Sequence, residues 1–174
     1  WTQSVLTREN IEFLQARPQI EVIDNVTLAH GSPREPVYEY ILDVRSAREN
    51  FDYFDNDYCF IGHSHLPLLF VRNSAEDKVS LSFPQQDHVI HLKPRSIVNP
   101  GSVGQPRDRN PRAAYVLYDL EEQTLRMRRV EYDIAAAQKK GVGAREMQGA
   151  AHGGLEFTAV LLHPCPQVVG LANG

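Results

Sequence analysis

Short apolar runs separated by polar turns recur along most of the chain, and they predict a protein built mainly from β-strands. Most runs alternate apolar and polar positions, as half-buried strands do, while the run at residues 58–61 is continuously apolar and predicts a buried strand. Strands are predicted at residues 20–23, 26–29, 58–61, 67–71, 79–83, 89–92 and 95–98, and an antiparallel hairpin at 113–120 and 124–132.

Fewer segments show helical spacing. An apolar stripe predicts a helix over residues 1–17, with Thr7 as a cap and Pro18 at its end. Residues 36–42 are predicted to form a short helix or a turn. The pattern Ser46-x-x-Glu49 indicates a capping box that begins a second helix, and Asp133 can cap a third at residues 134–140.

Histidines follow two of the predicted strands. The buried strand is followed by Gly62-His63-Ser64-His65, and side chains at i and i+2 of an extended strand point to the same side. His30 follows the strand at residues 26–29, so all three histidines are expected at the carboxyl edge of a sheet, where open α/β sheets bind ligands. They are candidate metal ligands, although histidines with ordinary loop or packing roles fit the same spacing.

The segment 99–107 contains two glycines and two prolines and is predicted to be a loop. Its glycines allow backbone N–H groups to turn towards an anion, Ser102 carries a hydroxyl, and Arg107 carries a planar donor that suits phosphate oxygens. A tight loop with only a structural role is equally compatible with this composition.

Composition narrows the class of protein. The chain has 174 residues, 42% of them hydrophobic, a net charge of −4 and a pI of about 6.0, which suits one globular domain. The basic residues are scattered, so nucleic acid is an unlikely partner except as a substrate. No apolar run is long enough to cross a membrane, and no signal peptide is visible. Cys59 and Cys165 have no motif spacing, which predicts free thiols and a cytoplasmic location.

Three motifs taken together resemble the calcineurin-like metallophosphoesterases, in particular the small bacterial and archaeal phosphodiesterases. They are His30-Gly31-Ser32-Pro33, Gly62-His63-Ser64-His65 and Asn99-Pro100-Gly101-Ser102, each at a predicted strand end and in the family's order. The resemblance implies an α/β fold in which two mixed β-sheets lie face to face with helices outside. Residues 1–141 would form the C-terminal portion of one such domain. Residues 142–174 would form a Gly/Ala-rich tail, either an extension or an appended strand.

The resemblance also implies roles for particular residues. Family members hold two divalent metals, which manganese, iron, nickel, cobalt or zinc could supply. By this likeness, His30 and His63 would bind the second metal and His65 the first. The loop residues Asn99, Gly101, Ser102 and Arg107 would border the phosphate of a phosphoester substrate.

The chain departs from the family pattern in one respect. It contains neither the Asp-x-His, Gly-Asp and Gly-Asn-His-Asp motifs that supply the other ligands nor the histidine that protonates the leaving group. We therefore expect no catalytic residue in this chain, an N-terminal part that lies outside it, and little or no activity from the chain alone.

Three functions agree with the sequence. The first is a phosphoesterase that hydrolyses phosphate mono- or diesters at a two-metal site. The second is an inactive binding or scaffold module of the same fold. The third is a protein with one zinc on His30, His63 and His65, with one coordination position open. The substrate, the identity of the metals and the oligomeric state stay open, and a homo-oligomer agrees with the sequence.

Overall fold

The computed structural model describes residues 6–73 and 75–139, together with the backbone of residues 157–163 and 167–172. Helix α1 is Arg8–Gln15, and the side chain of Thr7 accepts a hydrogen bond from the backbone N–H of Asn10, as predicted for a cap. Helix α2 is Val44–Asn50 and continues as a 3₁₀ turn at Phe51–Tyr53. Helix α3 covers residues 134–139, where Asp133 accepts from the N–H of Ala136 at 2.9 Å.

The capping box predicted at Ser46 was wrong. The N-cap of α2 is Asp43, whose carboxylate accepts from the N–H of Ser46, while the Ser46 hydroxyl accepts from the N–H of Asp43. The box is therefore Asp43-x-x-Ser46. Glu49 instead pairs with two arginines, Arg34 and Arg45. The segment 36–42, predicted as a helix or a turn, forms a turn at residues 36–38.

Six strands form the first sheet, in the order β1–β2–β3–β7–β4–β5. Strands β2, β3 and β7 are adjacent and parallel, whereas β1, β4 and β5 each pair with their neighbours antiparallel. The strands are β1 (Ile20–Ile23), β2 (Val26–Ala29), β3 (Tyr58–Phe60), β4 (Pro67–Asn73), β5 (Lys78–Ser82) and β7 (Ser96–Pro100).

Five strands form the second sheet, in the order β11–β10–β8–β9–β6. The predicted hairpin is present as the antiparallel pair β8–β9, and β10 lies parallel to β8 on its other side. The strands are β6 (Val89–His91), β8 (Ala113–Asp119), β9 (Thr124–Val130), β10 (Phe157–His163) and β11 (Gln167–Ala172). Part of the segment predicted as an extension or appended strand thus joins the sheet. The division into a domain at 1–141 and a tail stays a prediction.

Two apolar layers bury the central strands of the first sheet on both faces. One lies between the sheets, where Tyr58 and Phe60 of β3 pack with Val116 and Tyr118 of β8. The other lies between the first sheet and the segment of α2, and contains Phe51. A strand buried on both faces needs a continuous apolar run, which explains the pattern of residues 58–61. The predicted sandwich of two mixed sheets with helices outside is confirmed.

Cys59 is a buried, free cysteine on the helix-facing side of β3, and burial raises the pKa of its thiol. Cys165 lies outside the described residues, and the cytoplasmic location stays a prediction. Within the part of the chain that the structure describes, no helix is both long and apolar enough to cross a membrane.

Candidate functional site

Three loops meet at one edge of the first sheet because the strands that precede them are parallel neighbours. His30 follows β2, the segment 61–66 follows β3, and the segment 101–107 follows β7. Backbone hydrogen bonds join the loops: the N–H of Gly62 donates to the carbonyl of His30 at 2.7 Å, and that of Ile61 to the carbonyl of Val98 at 2.9 Å. This is the carboxyl edge at which α/β sheets bind ligands.

His30 and His63 lie in direct contact there. His30 Nε2 is 3.0 Å from His63 Nδ1, and the two ring planes meet at 64°. His30 is buried and His63 is half-buried. Two imidazole nitrogens bound to one metal at about 2.0–2.1 Å lie about 2.9–3.4 Å apart, so this pair fits part of a metal's ligand shell. The prediction that His30 and His63 converge is confirmed, while their role as ligands stays a prediction.

His65 is fully buried, and its Nδ1 is 2.8 Å from the carbonyl oxygen of Gln105. To donate this hydrogen bond, Nδ1 must carry the ring proton, which puts the lone pair of the neutral ring on Nε2. A carbonyl on one ring nitrogen is the usual way in which proteins orient a metal-binding histidine. The contact supports His65 as a candidate ligand.

The expectation that His63 and His65 point to the same side because they alternate along an extended strand was wrong. Strand β3 ends at Phe60, and both histidines have left-handed backbone conformations, with φ of 61° and 60°. The N–H of Ser64 donates to the carbonyl of Gly62 at 2.6 Å, which closes a tight turn. The alternation of an extended strand does not apply in this turn, and the two side chains differ in burial. Left-handed conformations are uncommon outside glycine and often occur at functional sites.

Asn99 connects the histidine loop to the loop after β7. This buried amide donates to the carbonyl of Gly62 at 2.6 Å and to Ser64 Oγ at 2.9 Å, and its oxygen accepts from the N–H of Gly101. Gly101 has φ of 87°, and a Cβ there would lie 2.9 Å from the Cβ of Ala114. Asn99 and Gly101 therefore fix the relative positions of the two loops.

The rest of that loop also lies beside the histidines, as predicted. Ser102 is buried, and its Oγ accepts from the N–H groups of Gly104 and Gln105. Arg107 donates its N–H to the carbonyl of His65 at 3.3 Å, and its guanidinium donates to Gln105 Oε1. These contacts assign Ser102 a role in shaping the loop. Phosphate binding by Asn99, Gly101, Ser102 and Arg107 stays a prediction.

Sequence reasoning missed Tyr40. Its ring stacks on the ring of His63 with 3.9 Å between centroids and 30° between planes, and it is 43% exposed. The stack restricts the orientation of the His63 ring. No signal in the sequence separates Tyr40 from the other aromatic residues of the segment 36–42.

A polar cluster beneath the His30 loop was missed as well. Glu39 accepts hydrogen bonds from Ser32, Arg34 and Asn50, and Arg34 also pairs with Glu49. Burial acts to raise the pKa of the Glu39 carboxyl, but these hydrogen bonds outweigh it, so the pKa lies below its ordinary value. The cluster fixes the loop that carries His30 and Tyr40.

No carboxylate of the described residues joins His30 and His63 to form a metal-binding group. Among residues 6–73 and 75–139, no group of three or more His, Cys, Asp or Glu side chains is arranged to hold a metal ion. This finding speaks against the alternative of one zinc on His30, His63 and His65. It agrees with a metal site in which His30, His63 and His65 are only some of the ligands.

Comparison with known proteins identifies relatives of this chain and its fold. A family model described as the calcineurin-like phosphoesterase superfamily domain matches residues 7–123. The uncharacterized protein MJ0912 of Methanocaldococcus jannaschii is 35% identical over 158 residues, which cover 83% of this chain and 58% of that protein.

Two solved structures are also similar. A metallophosphoesterase from Sphaerobacter thermophilus is 39% identical with a TM-score of 0.75, and the match covers 83% of this chain and 61% of that one. The hypothetical protein PH1004 from Pyrococcus horikoshii OT3 is 19% identical with a TM-score of 0.62, and the match covers 85% of this chain and 54% of that one. At this identity, the likeness shows the fold alone. The chain spans less than two thirds of the length of each of these relatives. Because the family model covers most of it, the chain belongs to the calcineurin-like phosphoesterase superfamily.

Proposed function

We propose that this chain contributes the histidine ligands and the phosphate-side loop of a two-metal site that hydrolyses phosphate mono- or diesters. The family is one of hydrolases that use divalent metals and act on phosphoesters. The proposal goes beyond the family in two respects: it names the residues of this chain that take part, and it sets the number of metals at two. The observation that carries it is the 3.0 Å approach of His30 Nε2 to His63 Nδ1 at the carboxyl edge of three parallel strands.

Each residue of the chain has a distinct part in this proposal. His30 and His63 would hold one metal through the two nitrogens that face each other, and His65 would offer Nε2 to the other metal. Asn99 holds the turn that carries His63 and His65 against the loop after β7. Arg107, at the far end of that loop, offers its guanidinium to a phosphate oxygen.

Divalent metals supply two things in such sites: they polarise phosphoryl oxygens, and they lower the pKa of water so that it can attack phosphorus. Two adjacent dications would repel each other strongly, and neutral imidazoles would not offset that repulsion. Since no carboxylate joins the histidine pair among the described residues, we propose that the acidic ligands and the leaving-group acid come from outside them.

The test is the hydrolysis of bis(4-nitrophenyl) phosphate in the presence of manganese, nickel or zinc, by the longest natural form of the protein. His63→Ala should abolish turnover, with the loss in kcat and not only in KM, because a metal ligand rather than a substrate contact is removed. Excess metal should restore part of the activity by mass action. His91→Ala, at an exposed histidine on β6, is the matched control and should keep wild-type turnover.

Three outcomes would count against the proposal. Unchanged turnover in His63→Ala would remove His63 from the site. Rapid metal-dependent turnover by the 174-residue chain alone would mean that its own residues form a complete site. A longest natural form that binds no metal and hydrolyses no phosphoester would favour the alternative of a scaffold module.

A further inference from the structure

A cleft of about 440 Å³ opens beside the candidate site. Leu66, which directly follows His65, lines the cleft, and so does Arg107, whose N–H donates to the carbonyl of His65. The cleft and the histidine loop therefore share a wall. Its volume lies within the range of about 300–1,000 Å³ that is usual for small-molecule sites.

The apolar wall of the cleft ends in an exposed aromatic ring. Phe83 follows β5, which pairs with β4 so that Ser82 lies opposite Leu69. This register brings Phe83 to the same edge of the sheet as Pro67, close to the histidine loop. Phe83 is 70% exposed, stacks on no other ring of the described residues, and lies in the cleft with Leu66 and Met127. An exposed ring beside an apolar floor is a surface on which a planar aromatic group can stack.

The charged wall of the cleft is basic, although the whole chain has a net charge of −4. Its charged lining residues are three arginines and one aspartate: Arg107, Arg109, Arg129 and Asp108. Arg129 is almost completely buried, pairs with Asp108, and donates to the carbonyls of Asn110 and Arg112. These contacts fix the loop, so its shape is set before any ligand binds.

Arg109 lies on the loop that Arg129 fixes. It is exposed and forms no ion pair with a described residue. Its φ is 67°, a left-handed conformation that non-glycine residues rarely adopt. A preformed loop that presents an exposed guanidinium at a cleft beside the proposed phosphoester site is suited to a second anionic group.

We propose that this cleft binds the non-reacting part of the substrate: a planar aromatic group that stacks on Phe83 and carries a second phosphate, which pairs with Arg109. This inference rests on the proposed function, since it names the substrate class of the same site. It favours aromatic compounds with linked phosphates over phosphopeptides and simple alkyl esters, which would use only one of the two walls.

The test is calorimetric binding of three probes to the longest natural form of the protein in excess EDTA, which removes any contribution from metals. Adenosine diphosphate has both the ring and the phosphates, adenosine has only the ring, and pyrophosphate has only the phosphates. Adenosine diphosphate should bind at least tenfold more tightly than either. Phe83→Ala should weaken the diphosphate and adenosine about tenfold and leave pyrophosphate unchanged. Arg109→Ala should weaken the diphosphate and pyrophosphate and leave adenosine unchanged.

Two matched controls lie away from the cleft. Tyr53→Ala removes an aromatic ring that precedes β3, at the opposite edge of the sheet, and Arg8→Ala removes an exposed arginine of α1. Both should keep wild-type binding. The proposal is overturned if adenosine diphosphate binds no better than pyrophosphate, or if Phe83→Ala and Arg109→Ala behave like the controls. A short single-stranded oligonucleotide that binds more tightly than the diphosphate would overturn the assignment to a small molecule.

These results separate the inference from the proposed function. If the function fails, His63→Ala leaves hydrolysis unchanged, whereas the binding pattern in EDTA is unaffected. If the inference alone fails, hydrolysis still depends on His63, whereas the three probes no longer distinguish the cleft variants from their controls.

Discussion

His63 is held from two sides by side chains that are far from it along the chain. His30 meets the edge of its ring at Nδ1, and Tyr40 stacks on a face of the ring. Both neighbours belong to the segment that follows β2, so the shape of that segment sets the position of His63. Two predictions at the scale of single residues test this dependence.

Gly31→Ala should destabilise the protein by about 1–3 kcal/mol, since overpacking costs this much in a tightly packed site. A Cβ at Gly31 would lie 2.9 Å from the carbonyl oxygen of Glu39 and 3.0 Å from that of Glu35, and backbone atoms cannot move aside cheaply. The measurement is the free energy of unfolding in urea. Gly104→Ala is the matched control: its Cβ would meet nothing within 4 Å, so the change should stay within about 0.5 kcal/mol. Equal effects of the two variants would contradict the packing described for Gly31.

Glu39→Gln should change how stability depends on pH. The pKa of Glu39 is lower in the folded protein than its ordinary value of about 4.5, so as the pH falls the unfolded chain takes up a proton first. Ionised Glu39 therefore stabilises the folded wild type above about pH 4.5, and this stabilisation is lost as the pH falls further. Glu39→Gln lacks this contribution at every pH. The gap in unfolding free energy between them should be large at pH 7 and should narrow towards pH 3. Glu131→Gln, which removes the charge of an exposed carboxyl, is the control and should lower the unfolding free energy at pH 7 less than Glu39→Gln does. A constant gap between Glu39→Gln and wild type would contradict the account.

Residue patterns identified the histidines and the Asn99 loop but not the contacts that position them. Tyr40, Glu39 and Arg34 were missed because their roles depend on where the segment after β2 folds back, and spacing along the chain does not contain that information.

At the scale of elements, strands were easier to predict than helix ends. Strands β2, β3 and β7 are buried on both faces, and the signal is strongest in β3, where every residue is apolar. The start of α2 was misplaced because Asp43-x-x-Ser46 and Ser46-x-x-Glu49 are both plausible capping boxes. The long-range pair of Glu49 with Arg34 favours the first, and no local pattern reveals that pair.

Asp43→Ala should lower the free energy of unfolding by about 0.5–2 kcal/mol, the usual cost of losing an N-cap. Helix α2 contributes buried Ala47 and leads into buried Phe51, so fraying at its start disturbs the core. Thr7→Ala removes the corresponding cap from α1, which has no buried residues, and should change global stability less. Urea unfolding of both variants is the measurement. A larger effect of Thr7→Ala would contradict the assigned importance of α2.

At the scale of the whole molecule, the sequence did not determine the order of the strands. Strand β7 lies between β3 and β4, although about 35 residues and three other strands separate it from β3 in the sequence. This insertion brings the Asn99 loop beside the histidine loop and makes one site from distant motifs. The alternation of apolar residues does not specify such an order. Only the resemblance of three motifs to a known family predicted the sandwich.

The most direct test of the central claim is calorimetric titration of the longest natural form of the protein with zinc, for wild type, His63→Ala and His91→Ala. If His30 and His63 share one metal of a two-metal site, wild type and His91→Ala should bind two ions per chain with the same affinities. His63→Ala should bind one of these ions at least tenfold more weakly while keeping a wild-type circular dichroism spectrum. Equal zinc affinity in His63→Ala and His91→Ala would contradict the account, because it would mean that the contact between His30 and His63 does not serve to bind a metal.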